Sequence, residues 1–323
     1  MSLEGTAEEY RYFATAMARG SSPLYERLGL AVAQDREMLE ALEGLPPAKR
    51  QPNLLFAAVR LVAGTPDGYE RLREIVFDRR DEVFAVMLAR RTQTNEPGRC
   101  AGLYPALASL PQPLALLEVG ASAGLCLLAD RYGYEYTGND GGVTRGGAPD
   151  AGLVLRCRVD GPAPSVGPIT VAWRAGIDLN PLDVTDDDDV RWLRMLVWPE
   201  QTDRLARLDA AVGIARRDPP PIHRGDLNER LDALAAEAPA GATLVVLHTA
   251  VVGYVPEPAR GAFAERVRAL PGHWLSQETA DVFPGIAARL REPAPVETAA
   301  YLLALDGRPL AFTALHGSWQ RPL

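Results

Sequence analysis

Residues 116–132 read LLEVGASAGLCLLADRY. The six residues Leu114–Val119 (LALLEV) are apolar but for Glu118, the composition of a strand covered on both faces. A cluster of small residues follows, Gly120-Ala121-Ser122-Ala123-Gly124, and a second apolar pattern, AGLCLLADRY, reads as a helix. Such a turn presents backbone N–H groups at the carboxyl edge of a strand, where the missing Cβ of glycine leaves room for a ligand. Glu118, Gly120, Ser122 and Gly124 stand at alternate positions across this exit. A tight strand–helix connection with no ligand would use the same small residues.

Outward from this unit the chain alternates. LVLRCRV and ITVAWRAGI are strand-like and joined by DGPAPSVGP; DVRWLRMLVW and PEQTDRLARLDAAVGIARR are helical. PPIHRG, ATLVVLHTAVV and HWLSQE read as strands, DLNERLDALAAEA and PARGAFAERVRAL as helices between them. YLLALDG and RPLAFTAL form a terminal hairpin turned by Asp306–Gly307. Alternating β and α predicts a mostly parallel sheet with helices on both faces. Upstream of about residue 95 the periodicity is helical throughout, with breakers at Gly44 and Pro46–Pro47. The expected organisation is an N-terminal helical cap over 1–110 and an α/β domain over 111–323, with a β insertion around 134–176. The acidic run 186–189 fits a helix N-terminus better than a metal site.

The 323 residues carry 42 acidic and 34 basic side chains, a formal charge of −8, with the arginines dispersed among Asp and Glu. That balance argues against nucleic acid as a partner, which favours a basic face. No run reaches the roughly 18 apolar residues of a membrane span. The start, MSLEGTAEEYRYF, lacks an apolar signal region, and three dispersed cysteines suit reduced thiols, so a cytoplasmic location is expected. The absence of CxxC and HExxH argues against zinc.

A dinucleotide fingerprint would be GxGxxG, which the three-residue gap between Gly120 and Gly124 does not match. Glu118, Gly120 and Gly124 instead resemble the first motif of class I S-adenosylmethionine-dependent methyltransferases, usually E/D-x-G-x-G-x-G, with Ser122 in place of the middle glycine. The order of elements from 114 to 315 is similar to theirs as well. The resemblance implies a doubly wound, mostly parallel, seven-stranded Rossmann-like sheet binding S-adenosylmethionine through Glu118, Gly120, Ser122 and Gly124. It further implies a carboxylate ending the second strand to hold the ribose hydroxyls. Asp178 in GIDLNP and Asp140 in YEYTGND compete for that role, with Asp178 preferred for its flanking Ile177 and Leu179. Asp226, after the third strand, would lie near the adenine amino group, or would simply cap the helix it precedes. His248 and Tyr254, near the exit of LHTAVVGYV, are the catalytic candidates; a histidine there can serve as a general base or pack at a strand end. The amino-methylating signatures NPPY and DPPY are absent.

The whole chain also resembles a bacterial family known as a domain of unknown function, through RRTQTNEPGRC, LLEVGASAGLCLLADRY, GIDLNPLDVTD and LVWPEQTDRLARL. That resemblance implies no activity. Its first block is dense in polar residues at the junction before the first strand. Arg91, Asn95 and Glu96 there either line a small-substrate pocket or tie the two regions together. The expected function is methyl transfer from S-adenosylmethionine to a small-molecule acceptor. The alternative is a ligand-binding or regulatory protein that keeps the fold without the chemistry.

Overall fold

The structure, a computed structural model, describes residues 3–291 and 300–323. Two compact units divide it: Met1–Thr94 with Asp186–Ala206, and Asn95–Thr185 with Arg207–Leu323. The first boundary falls at 94/95 rather than near 110, and a segment from the middle of the chain joins the N-terminal unit.

That first unit is helical. It contains α1 (Leu3–Tyr12), continued by a π-helix over Phe13–Ala18, then α2 (Pro23–Val32), α3 (Arg36–Glu43), α4 (Pro52–Ala63), α5 (Tyr69–Asp78) and α6 (Arg80–Ala89). The next helix in the chain, α7 (Cys100–Ala108), belongs to the second unit, and α8 (Asp187–Leu196) to the first. The carboxylate of Asp186 caps α8 by accepting from Asp188 and Asp189 N–H, so the acidic run is a helix start. Tyr10, Phe13, Tyr25 and Trp198 gather with Phe56 of α4; the Tyr25 and Phe56 rings are 4.8 Å apart. α9 (Thr202–Ala215) begins in the first unit and continues into the second.

Among the described residues, the second unit is built on a mixed, mostly parallel sheet of eleven strands. In chain order they are β1 (Leu114–Val119), β2 (Gly133–Gly138), β3 (Val143–Gly147), β4 (Val154–Val159), β5 (Val171–Asp178), β6 (Ile222–Arg224), β7 (Thr243–Thr249), β8 (His273–Glu278), β9 (Ala300–Leu305), β10 (Arg308–Ala314) and β11 (Trp319–Pro322). Across the sheet they run β3-β2-β4-β11-β10-β9-β8-β7-β1-β5-β6. The five from β6 to β8 are parallel. Where seven strands were expected there are eleven, because residues 133–159 supply three strands and β11 joins β4 to β10.

The helix expected after the glycine turn is a 3-10 helix over Leu125–Arg131 that loses helical geometry at Leu128. Its residues Leu125–Ala129 are all buried, so it lacks the exposed face a long surface helix needs. On the opposite face of the sheet, Leu117, Val119 and Val246 pack against Leu231 of α10 (Leu227–Ala235) and Phe263 of α11 (Glu257–Ala269). The short α12 (Pro284–Ala287) adds Ile286 to the same core.

The β9–β10 hairpin turns on Asp306 and Gly307, with φ of 52° and 72°. Two consecutive left-handed residues match the right-handed strand twist, which is why Asp-Gly sits there. The Asp306 carboxylate also accepts from Trp274 N–H and pairs with His273 Nδ1, both at 2.8 Å. Gly307→Ala, which places a Cβ in the left-handed region, is expected to cost about 1–2 kcal/mol in urea unfolding. No loss would contradict the turn geometry.

Candidate functional site

On one side of β1 stand β5 and β6, the strands that follow β4 in the chain, while β7 and β8 extend the sheet on the other. The strand order therefore reverses between β1 and β7, and their carboxyl ends lie at the switch point, the position where open α/β sheets hold ligands. The glycine turn lies there. Gly120, Ser122 and Gly124 have φ of 70°, 53° and 73°, so Ser122 is a non-glycine residue in the left-handed region.

The turn's N–H groups are largely used within the protein. Gly120 and Ala121 donate to Ile177 O, Gly124 donates to Ala121 O, and Leu125 donates to Asn95 Oδ1 at 2.9 Å. Ser122 donates to Asp178 Oδ2 at 2.8 Å, and Asn180 N–H to Oδ1 at 2.7 Å. Asp178 thus ends the strand next to β1 and holds the turn directly. Asp140 lies in the β2–β3 turn, where it accepts from Gly142 N–H; β2 stands seven places from β1 in the sheet. Above Gly120 sits Val251: a Cβ on the glycine would lie 2.6 Å from Val251 Cβ and closer still to Cγ2.

Behind the turn is a buried polar cluster. Glu118 is 1% exposed and its Oε2 has no hydrogen-bond partner. Burial, reinforced by the neighbouring Cys126 thiol and the Asp178 carboxylate, raises its pKa well above the carboxylate range, against the opposing pull of Arg99. Arg99, also buried, donates to Thr249 O at 3.1 Å and to Thr249 Oγ1, and lies over the Tyr301 ring. Glu96 accepts from Gly98 N–H and from Arg207 Nε, at 2.9 and 2.8 Å. Asn95 and Glu96 therefore meet the glycine-turn region in the second unit. Arg91 is exposed and belongs to the first unit, where its carbonyl accepts from Trp192 Nε1.

On the other face of the sheet, His248 has no exposed surface. Trp274 Nε1–H, a donor only, points at His248 Nε2 at 2.9 Å, so that nitrogen is an acceptor. Nδ1 then carries the proton and donates to Glu278 Oε1 at 2.8 Å. The same oxygen accepts from Val251 and Val252 N–H, at 3.0 and 2.9 Å. Burial alone would raise the Glu278 carboxyl; the bonds from His248, Val251 and Val252 outweigh it and bring the pKa below the usual value. A cavity of about 10 Å³, lined by Ser276, Glu278, Phe283 and Leu302, adjoins it. Both nitrogens of His248 are thus engaged inside the protein. Tyr254 is 83% exposed, beyond the strand exit. Asp226 caps α10 through Asn228 N–H at 2.7 Å.

The model of a bacterial family described as "Uncharacterized protein conserved in bacteria (DUF2332)" matches residues 7–321. The chain belongs to this family. It has no significant match among curated proteins. In this DUF2332 member the residues that sequence reasoning missed are Glu278, Trp274, Arg99 and Val251. Parallel pairing sets His248 opposite Ser276, which puts Trp274 and Glu278 on the same face two residues to either side. The acidic end of HWLSQE was the available signal.

The raised Glu118 carboxyl has a definite consequence. The folded protein keeps the proton that the unfolded chain releases near the ordinary 4.5, so this contribution to stability is complete below that pH and declines as pH rises. Melting temperatures of wild type and Glu118→Gln from pH 5 to 9 should therefore diverge, with the variant gaining relative stability as pH rises. Parallel curves would show that Glu118 is already ionised in the folded state.

Proposed function

We propose that the chain binds S-adenosylmethionine at the carboxyl ends of β1, β5 and β7 and transfers its methyl group to a small-molecule acceptor. In this reading β6-β5-β1-β7-β8-β9-β10 are the seven strands of a methyltransferase-like, doubly wound sheet, and β11-β4-β2-β3 are an addition. The observation that carries the reading is Asp178, a carboxylate at the end of the strand beside β1, bonded to the turn that follows Glu118 and Gly120. A carboxylate so placed can accept both ribose hydroxyls of a nucleoside. With its ring nitrogens committed to Trp274 and Glu278, His248 moves no proton in this scheme; it orders the loop that borders the crevice.

A second reading is a ligand-binding or regulatory protein without methyl transfer. It is favoured by the internal use of the turn's N–H groups and by Val251 over Gly120.

Calorimetric titration with S-adenosylhomocysteine, followed by methyl transfer assays, separates the two. Saturable binding is expected, weakened about 10- to 100-fold in Asp178→Asn, the loss of a hydrogen bond to a charged group worth ~1.5–3 kcal/mol. Binding without any methyl transfer to a panel of small thiols, amines and hydroxyls favours the second reading. Binding that Asp178→Asn leaves unchanged contradicts the site, and absence of binding contradicts the first reading and leaves the second standing.

A further inference from the structure

The segment Thr249–Val255, at the exit of β7, is fastened by side chains from several elements. Arg99 holds Thr249 O, Glu278 Oε1 holds Val251 and Val252 N–H, and Arg260 donates to Gly253 O and Val255 O. Ala250 N–H donates to Gln277 O, and Ala250 itself has φ of 53°. An alanine in the left-handed region is conformationally costly and persists only where its surroundings impose it. What the surroundings impose here is the position of the next residue: the Val251 side chain covers the Cα of Gly120. Gly120 is the bare backbone position directly after β1, and on the nucleoside reading the space over it is what a ligand of the glycine turn enters.

We propose that Thr249–Val255 is a strap that closes the crevice, with Val251 as its plug, Glu278 as its latch and Ala250 as its hinge. This rests on the reading that a nucleoside ligand takes the β1/β7 crevice. In the closed state Val251 stands where the ligand would meet Gly120. Admission requires Ala250 to relax toward ordinary backbone angles and Val251 and Val252 to release their N–H groups from Glu278. The ligand therefore binds the minor, open population, and its apparent affinity is reduced by that population. His248 acts as a positioning residue: its Nδ1–H holds Glu278 Oε1 in place to receive the two amides.

The test uses the full chain and S-adenosylhomocysteine as the probe, titrated into wild type, Val251→Ala and Ala250→Gly, with hydrogen exchange of the Val251 and Val252 amides followed with and without ligand. Val251→Ala shrinks the plug; Ala250→Gly removes the cost of the left-handed conformation, favours the closed strap and preserves the core. The expected result is binding at least about tenfold tighter in Val251→Ala and roughly fivefold or more weaker in Ala250→Gly, with the two amides exchanging faster once the wild type is saturated. Equal affinities in all three proteins and unchanged amide protection would overturn the strap while leaving the nucleoside reading intact. Silence from all three at millimolar probe would overturn the reading and the strap together. Tighter binding in Val251→Ala without any change in amide exchange would overturn the latch, because the plug would then yield without the strap opening, and tighter binding in Ala250→Gly would overturn the hinge.

Discussion

One carboxylate oxygen, Glu278 Oε1, collects three hydrogen bonds in the buried interior: His248 Nδ1–H and the N–H groups of Val251 and Val252. A buried carboxylate without such donors would be expelled or neutralised. With them it stays ionised and fixes how the chain leaves β7. That exit sets Val251 against Gly120, and the contact closes the edge between β1 and β7. The geometry of the crevice is thus decided by a residue at the end of a third strand, β8.

The two faces of the sheet treat their acidic residues in opposite ways. Glu278 is lowered by donors on three sides, whereas Glu118, on the α7 side of β1, is raised because burial is not matched by comparable hydrogen bonds. Local donors, rather than depth alone, set the charge of each. Asp178 completes the set from β5, with its carboxylate turned back to grip Ser122 N–H. Strand ends that would present open N–H groups in an empty ligand cradle are here closed upon one another. Asn95 extends this from the junction by accepting from Leu125 N–H, and Glu96 anchors the same junction through Arg207.

Much of the architecture was legible where the signal is local. The apolar run Leu114–Val119, the Asp-Gly turn at 306–307, the N-cap at Asp226 and the helical periods upstream of residue 95 all appear as their residues indicate. The stretch GYERLREIVFDRRDEVFAVMLARR divides into α5 and α6 at Arg79, a break carried by its φ of −122° and not by any glycine or proline. Strand count was harder to read, since β2 and β3 pair with each other in a short hairpin over 133–147 and the four-residue β11 pairs with β4, far back in the chain. The site showed the same limit. The flanks of Asp178 indicated its place at a strand end, but the pairing of His248 with Trp274 and Glu278 depends on the register of two strands with α11 between them. A lone histidine at a strand end carries no sign of what will face it.

The hydrogen-bonding state of the His248 ring tests this account most directly. Trp274 Nε1–H and the Glu278 carboxylate can both be satisfied by only one neutral tautomer, with the proton on Nδ1 and Nε2 as acceptor. Nitrogen-15 NMR of the histidine side chains at pH 7 should show His248 in that single form, with a protected Nδ1 proton correlated to the ring. A proton on Nε2, or a ring averaging between tautomers, would mean that Glu278 does not hold the β7 exit in the way described.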